Sequence, residues 1–187
     1  MIKNEKIKTE DVSVVILAGG LNKRIRHLYP NKPKPLIKFK NKPFLYWIVK
    51  EINKLNFKNI IYATGYKSKQ IECWVNDNEF KNLDQTVIKE EKKMGTAGSI
   101  FNLINFCKNY FIVLNSDSFL VDGLESLLLS MDKKISGALV CHYMENMRRF
   151  GSIQFDKNNN LTAFNEKKIN GSGFINSGIY FFNKEKV

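Results

Sequence analysis

Residues 12–18 (VSVVILA), closed by Gly19 and Gly20, constrain the fold of this chain more than any other stretch. A strand with one wet face alternates polar and apolar side chains. This run does not alternate, so it predicts a strand buried on both faces, as in parallel sheets flanked by helices. Downstream segments keep switching between strand and helix periods. Residues 59–64 (NIIYAT), 85–89 and 110–114 (YFIVL) read as further strands. Helical spacing puts Leu45, Ile48, Val49, Ile52 and Leu55 on one face, with Pro43 in the first turn. Helices are also expected over 68–75, over 96–107 with Ile100, Leu103, Ile104 and Cys107 in a stripe, and along Leu124, Leu127, Leu128 and Met131. Residues 21–35 contain Pro30, Pro33 and Pro35 and read as an extended loop. After about residue 136 the remaining segments are strand-like, at 137–143, 152–155, 161–164 and 174–182, with a turn at 156–160 (DKNNN). The expected fold is α/β, a Rossmann-like mixed, mainly parallel sheet with helices on both faces.

A chain of 187 residues can bury a core without metals or disulfides. Residues 1–11 are charged, lack the apolar centre of a secretion signal, and read as a tail; 12–187 read as a single domain. No apolar run approaches the roughly 18 residues that span a bilayer, so no membrane partner is expected. Cys73, Cys107 and Cys141 are far apart and odd in number. With only His27 and His142 beside them, no zinc spacing exists, and reduced thiols in a cytoplasmic protein are expected. The net charge of +12 raises the question of nucleic acid. The lysines, however, are spread over the whole chain, the pattern of a solvated surface, so no nucleic-acid partner is expected. Such a field would still favour small polyanions. A homo-oligomer is left open.

Residues 17–36 (LAGGLNKRIRHLYPNKPKPL) carry the first chemistry. A glycine pair directly after a buried strand lets backbone N–H groups approach an anion closely. Arg24 and Lys34 add charges able to hold a polyphosphate, and flanking prolines keep Lys34 in an extended segment that pre-sets its direction.

This stretch resembles the motif LAGGxGTRLxxxTxxxPKPL of the sugar-phosphate nucleotidyltransferases, the nucleoside-diphosphate-sugar pyrophosphorylases. Leu17, Ala18, Gly19, Gly20, Arg24, Pro33, Lys34, Pro35 and Leu36 are kept. Further landmarks follow in the family's order: GTAG at 95–98, Asp117 in LNSDSF, RFG at 149–151, FNEK at 164–167 and INSGIYFF at 175–182. The resemblance runs nearly the whole length from Val12. Within the family, the chain looks most like the small D-glycero-D-manno-heptose 1-phosphate guanylyltransferases.

The resemblance implies the nucleotide-diphospho-sugar transferase fold and a Mg²⁺-dependent condensation. An NTP and a sugar 1-phosphate, heptose or hexose, give an NDP-sugar and pyrophosphate for surface polysaccharide. Arg24, Lys34 and Asp117 would be catalytic, with Asp117 holding the Mg²⁺. Leu17, Ala18, Gly19, Gly20, Gly95, Thr96 and Gly98 would bind the nucleotide, and Gly151, Glu166, Lys167 and Asn176 the sugar phosphate. Plainer roles compete. Gly151 could only permit a bend, Glu166 and Lys167 could be a surface pair, and Asp117 could cap a helix. Asn176, an amide inside an apolar run, needs partners wherever it lies. Three departures from the family pattern motivate an alternative, a weakened domain that binds nucleotide or sugar phosphate without turnover. Asn22 and Lys23 replace Gly-Thr, Ser116 replaces a glycine, and no aspartate follows Asp156 to supply a second metal ligand. The family's C-terminal segment, which carries that aspartate, is expected to be missing.

Overall fold

The computed structural model describes residues 7–20, 25, 27–91, 95–118, 123–165 and 170–187. Strand β1 (Val12–Leu17) is followed by a two-residue hairpin, β2 (Lys38–Phe39) and β3 (Lys42–Pro43). Helix α1 (Phe44–Lys54), β4 (Asn59–Thr64), α2 (Ser68–Asp77), β5 (Asp84–Lys89), α3 (Gly95–Leu103) and β6 (Tyr110–Asn115) then alternate. Helix α4 (Gly123–Ser130) leads into β7 (Gly137–Met144), β8 (Ser152–Phe155), β9 (Leu161–Asn165) and β10 (Gly173–Asn183).

The main sheet is mixed, in the order β5-β4-β1-β6-β10-β8-β9, with β7 also paired to β10. The block β5-β4-β1-β6 is parallel, and β10, β7, β8 and β9 add antiparallel pairings. The non-alternating pattern of β1 has the expected cause. Val14 and Ile16 face α1, α2 and α4 on one side, while Val15 faces α3 on the other. All three are at most 1% exposed. Burial of such a side chain stabilises the fold by about 1.5–3 kcal/mol. Ser13 stays inside this strand because its hydroxyl accepts from the Lys108 backbone N–H at 3.0 Å. Among the described residues, no helix is long and apolar enough to cross a membrane.

Some local readings shift. Pro43 ends β3 with ψ at 147°, and α1 begins one residue later. Having no N–H to give, a proline at this boundary deprives neither element of a hydrogen bond. The expected helix over 96–107 divides into α3 and a 3₁₀ turn, Ile104–Phe106. The hairpin turn was not legible as such. Lys40 and Asn41 take left-handed φ values of 47° and 64°, the pair of conformations a tight two-residue turn requires.

Strand β10 changes partners along its length. Its first half pairs with β8 and its second half with β6, while β7 runs beside both. The register shifts between Asn176 and Tyr180, where Gly178 adopts φ 76°. Asn176 builds this bulge: its Oδ1 accepts from the Gly178 N–H at 2.9 Å and its Nδ2 donates to Tyr180 Oη at 2.5 Å. A Cβ on Gly178 would run into the side-chain amide of Asn115 at the end of β6.

Replacing Gly178 by Ala should therefore cost at least about 1–2 kcal/mol from backbone strain alone. Urea denaturation measures it, and an unchanged midpoint would show that the bulge does not depend on glycine. Thiol labelling checks the core. Burial pushes the Cys107 thiol up to about 11, against an opposing pull from Lys184. At pH 8 about one such thiol in a thousand is ionised. Exposed Cys73 should alkylate in the native protein, and Cys107 only on unfolding.

Candidate active site

Three strand ends meet at one edge of the parallel block. Leu17, last in β1, stands opposite Ala63 of β4 and Asn115 of β6. Backbone bonds carry the alignment beyond the strands: Ala18 N–H to Ala63 O at 2.7 Å, Ser116 N–H to Leu17 O at 3.3 Å and Glu90 N–H to Thr64 O at 2.7 Å. They surround a cleft of about 410 Å³. Its walls are Leu17 to Gly20 after β1, Glu90 after β5, Asn115 to Asp117 after β6, Gly95 and Ser99 of α3, and Lys34 with Pro35. Carboxyl ends of parallel strands are where open α/β sheets bind ligands.

Each wall has a local reason. A Cβ on Gly19 would lie 3.1 Å from Glu90 Oε2 and 3.4 Å from the Gly65 backbone N, so a side chain there would have to push the carboxylate aside. Lys34 opens a 3₁₀ turn, Lys34–Leu36, in which Pro35 is buried and Leu36 packs on the core. The backbone beneath Lys34 is thus fixed while its side chain stays 43% exposed. Lys34 Nζ donates to Asp117 Oδ2, a direct ion pair across the mouth of the cleft. Exposed pairs of this kind contribute at most about 1 kcal/mol, so an incoming anion or cation can compete with it.

Glu90 is half-buried, and its Oε1 is shielded from solvent with no hydrogen-bond partner among the described residues. Leaving a polar atom in that condition costs about 1–3 kcal/mol until a donor arrives. Across the cleft, α3 starts at Gly95 with φ 70°. The first N–H groups of a helix have no partner within it, and they favour anions. The Ser99 hydroxyl is spent on Gly95 O at 2.9 Å.

Of the residues named from sequence, Leu17, Ala18, Gly19, Gly20, Lys34, Gly95 and Asp117 line this one cleft. Gly98 lies half-buried on α3, away from the wall; the side chain of Thr96 is outside the described residues, as are Asn22, Lys23, Arg24, Glu166 and Lys167. Gly151 and Asn176 sit together on the antiparallel part, joined by the Asn176 N–H and Gly151 O at 3.2 Å. The amide of Asn176 finds its partners within its own strand. Asp117 pairs with Lys34, and the next described helix is α4 from Gly123. Glu90, Ser99 and Asn115 were not anticipated. The available signal for Glu90 was its place immediately after a predicted strand.

Comparison with known proteins gives a consistent outcome. A sequence model of the nucleotidyl transferase family matches residues 13–187. The D-glycero-alpha-D-manno-heptose 1-phosphate guanylyltransferase of Campylobacter jejuni is 33% identical over 174 residues, covering 93% of this chain and 77% of that protein. The enzyme of the same name from Aneurinibacillus thermoaerophilus is 31% identical, covering 92% and 75%. A mannose-1-phosphate guanylyltransferase from Mycobacterium tuberculosis is 28% identical, covering 96% and 51%. The crystal structure of HddC from Yersinia pseudotuberculosis superposes with a TM-score of 0.79 at 30% identity, over 92% of this chain and 77% of that one. HddC has also been solved with GMP-PN.

The ion pair yields a prediction that needs no substrate. Asp117→Asn should release Lys34 and tighten binding of metal-free tripolyphosphate up to about fivefold at low salt, with the gain fading at high salt. Calorimetry measures it. An unchanged affinity would mean that Asp117 does not hold Lys34 back.

Proposed function

The chain belongs to the nucleotidyl transferase family, and on that premise we propose that it is a heptose 1-phosphate guanylyltransferase. The general reaction joins an NTP to a sugar 1-phosphate, giving an NDP-sugar and pyrophosphate, as the names of the heptose and mannose relatives indicate. The choice of guanine is the finer step, and Glu90 carries it. Guanine presents two adjacent donors, N1–H and the N2 amino group. A carboxylate with a shielded, unpartnered oxygen can accept both. Adenine offers an acceptor at N1, and the pyrimidines offer no such donor pair. A site whose buried acceptor stays empty with the wrong base discriminates strongly.

The chemistry asks for alignment more than for covalent help. An oxygen of the sugar phosphate attacks the α-phosphorus, and pyrophosphate departs from the opposite side. Gly19 and Gly20 offer backbone N–H groups to the triphosphate, and the start of α3 offers more. Lys34 would turn from Asp117 to the phosphates and neutralise charge as it develops. Arg24 is assigned the same task from its place in the motif.

The donor set suits a hard cation. Asp117 supplies one half-exposed carboxylate at the mouth of the cleft, enough for Mg²⁺, which keeps waters and takes phosphate oxygens as its other ligands. Among the described residues no group of three or more His, Cys, Asp or Glu forms a cage for a metal. Asp117 would hold the ion, which when bound would lower the negative charge on the phosphates. Gly151, Asn176, Glu166 and Lys167 are proposed for the sugar phosphate on the family motif alone. Three unpaired thiols fit a reducing compartment, so the cytoplasm is the proposed location.

Pyrophosphate release from GTP, ATP, CTP, UTP and dTTP, each with heptose 1-phosphate and Mg²⁺, tests the reading. GTP should lead, and nucleotide binding without release would favour the weakened domain instead. Glu90→Gln keeps the size but loses the paired acceptors, and should lower kcat/KM for GTP by about 10- to 100-fold. If the variant kept the GTP preference, the guanine assignment would fail.

A further inference from the structure

We propose that Tyr66, Lys67 and Gln70 are positioning residues, a latch that ties the loop preceding Lys34 to helix α2. The inference rests on the nucleotide-binding reading of the cleft and concerns how one wall of it is held. Gly20 lines one side of the cleft and Lys34 with Pro35 another, and residues 27–33 lead directly into Lys34. In this segment the Lys32 N–H reaches Tyr29 O at 3.4 Å, closing a turn. Pro30 and Pro33 keep the residues between them out of a regular helix or ladder. The carbonyls of Pro30 and Asn31 are therefore open to side-chain donors from elsewhere in the chain.

The start of α2 supplies them. Tyr66 Oη and Lys67 Nζ both donate to Pro30 O, each at 3.2 Å. Lys67 Nζ also reaches Asn31 Oδ1 at 3.4 Å, and Gln70 Nε2 donates to Asn31 O at 3.0 Å. Lys67 adopts φ 58° and ψ 36°, a left-handed conformation unusual for lysine. That strained position, at the N-cap of α2, turns its side chain to the loop and over the Tyr66 ring, 5.3 Å from the centroid.

The base of the latch is rigid. Thr64 and Ser68 join their hydroxyls at 2.7 Å in the interior, and Thr64 also donates to Ile88 O at 3.1 Å. One residue on, a Cβ on Gly65 would lie 3.1 Å from Gly19 O, so the same short stretch backs the glycine corner. Residues 64–70 thus back Gly19 at the floor of the cleft and tether Pro30 and Asn31 ahead of Lys34. With the latch in place, the entropy of ordering the loop is lost during folding. Without it, that cost falls on nucleotide binding. Loss of the latch removes binding shared by ground and transition states, which raises KM and leaves kcat nearly constant.

The test is the triple variant Tyr66→Phe, Lys67→Ala, Gln70→Ala, read in two ways. Without any nucleotide, chymotrypsin cleavage after Leu28, just ahead of the tethered Pro30 and Asn31, should accelerate about fivefold or more, since local opening governs proteolysis. In turnover, the KM for GTP should rise about three- to tenfold with kcat within about twofold. Lys67→Arg, whose guanidinium can serve both acceptors, should keep wild-type values in the otherwise native chain. Unchanged cleavage and unchanged KM would overturn the latch, as would a fall in kcat alone. If wild type fails to use GTP, the guanylyl reading falls while the protease measurement still decides the latch. Should the triple variant not fold, Gln70→Ala alone must show the same direction in both readouts, and its failure to do so overturns the proposal.

Discussion

The parallel pairing of β1 with β4 on one side and β6 on the other sets everything else in place. Leu17 faces Ala63 and Asn115 in register, so three chains leave the sheet at the same level. A slip of one residue would reverse the faces of β1, exchanging Val15 with Val14 and Ile16 between two differently shaped layers. It would also part Gly19 from the Glu90 carboxylate and Lys34 from Asp117. Because both faces of β1 are dry, such a slip is costly in either direction. The geometry of a solvent-exposed cleft is therefore guarded by contacts several residues inside the sheet.

Much of this was legible in the sequence, because burial on both faces leaves a run without alternation, and a glycine pair after it leaves few interpretations. The spacing of Leu45, Ile48, Val49 and Ile52 gave α1 its buried side, and all four are in the core. Asp117 was legible as an aspartate just past a buried strand. Glu90 was not, since nothing in Lys89-Glu90-Glu91 says which carboxylate turns inward. That depends on Thr64 pairing with Lys89 across β4 and β5, a contact between distant parts of the chain. Asn176 shows the converse limit. An amide in an apolar run was rightly expected to need partners, but they proved to be Gly178 and Tyr180, reached through a bulge whose extra residues leave no periodic trace.

The surplus of lysine finds an answer in where the amines go. Among its described residues the cleft holds two carboxylates, Glu90 and Asp117, and one ammonium, Lys34. Among the described residues, the positive charge that gives the chain its net +12 is not concentrated there. Lys42 and Lys50 lie over aromatic rings of α1, at 4.7 Å from the Tyr46 centroid and 5.5 Å from that of Trp47. There long stems cover apolar surface while the charged heads stay wet. Selectivity in the cleft then comes from where single charges stand rather than from how many there are.

Glu90 follows β5, whereas Lys34 and Asp117 come from the segments beyond β1 and β6, and no hydrogen bond among the described residues joins the first to the other two. On the proposed reading, base recognition and transfer are carried by separable parts of one sheet edge. A lineage could exchange the residue at position 90 and adopt a different purine or pyrimidine while its phosphate chemistry went on undisturbed. Such an arrangement lets a single scaffold diversify its currency of activated sugars one substitution at a time.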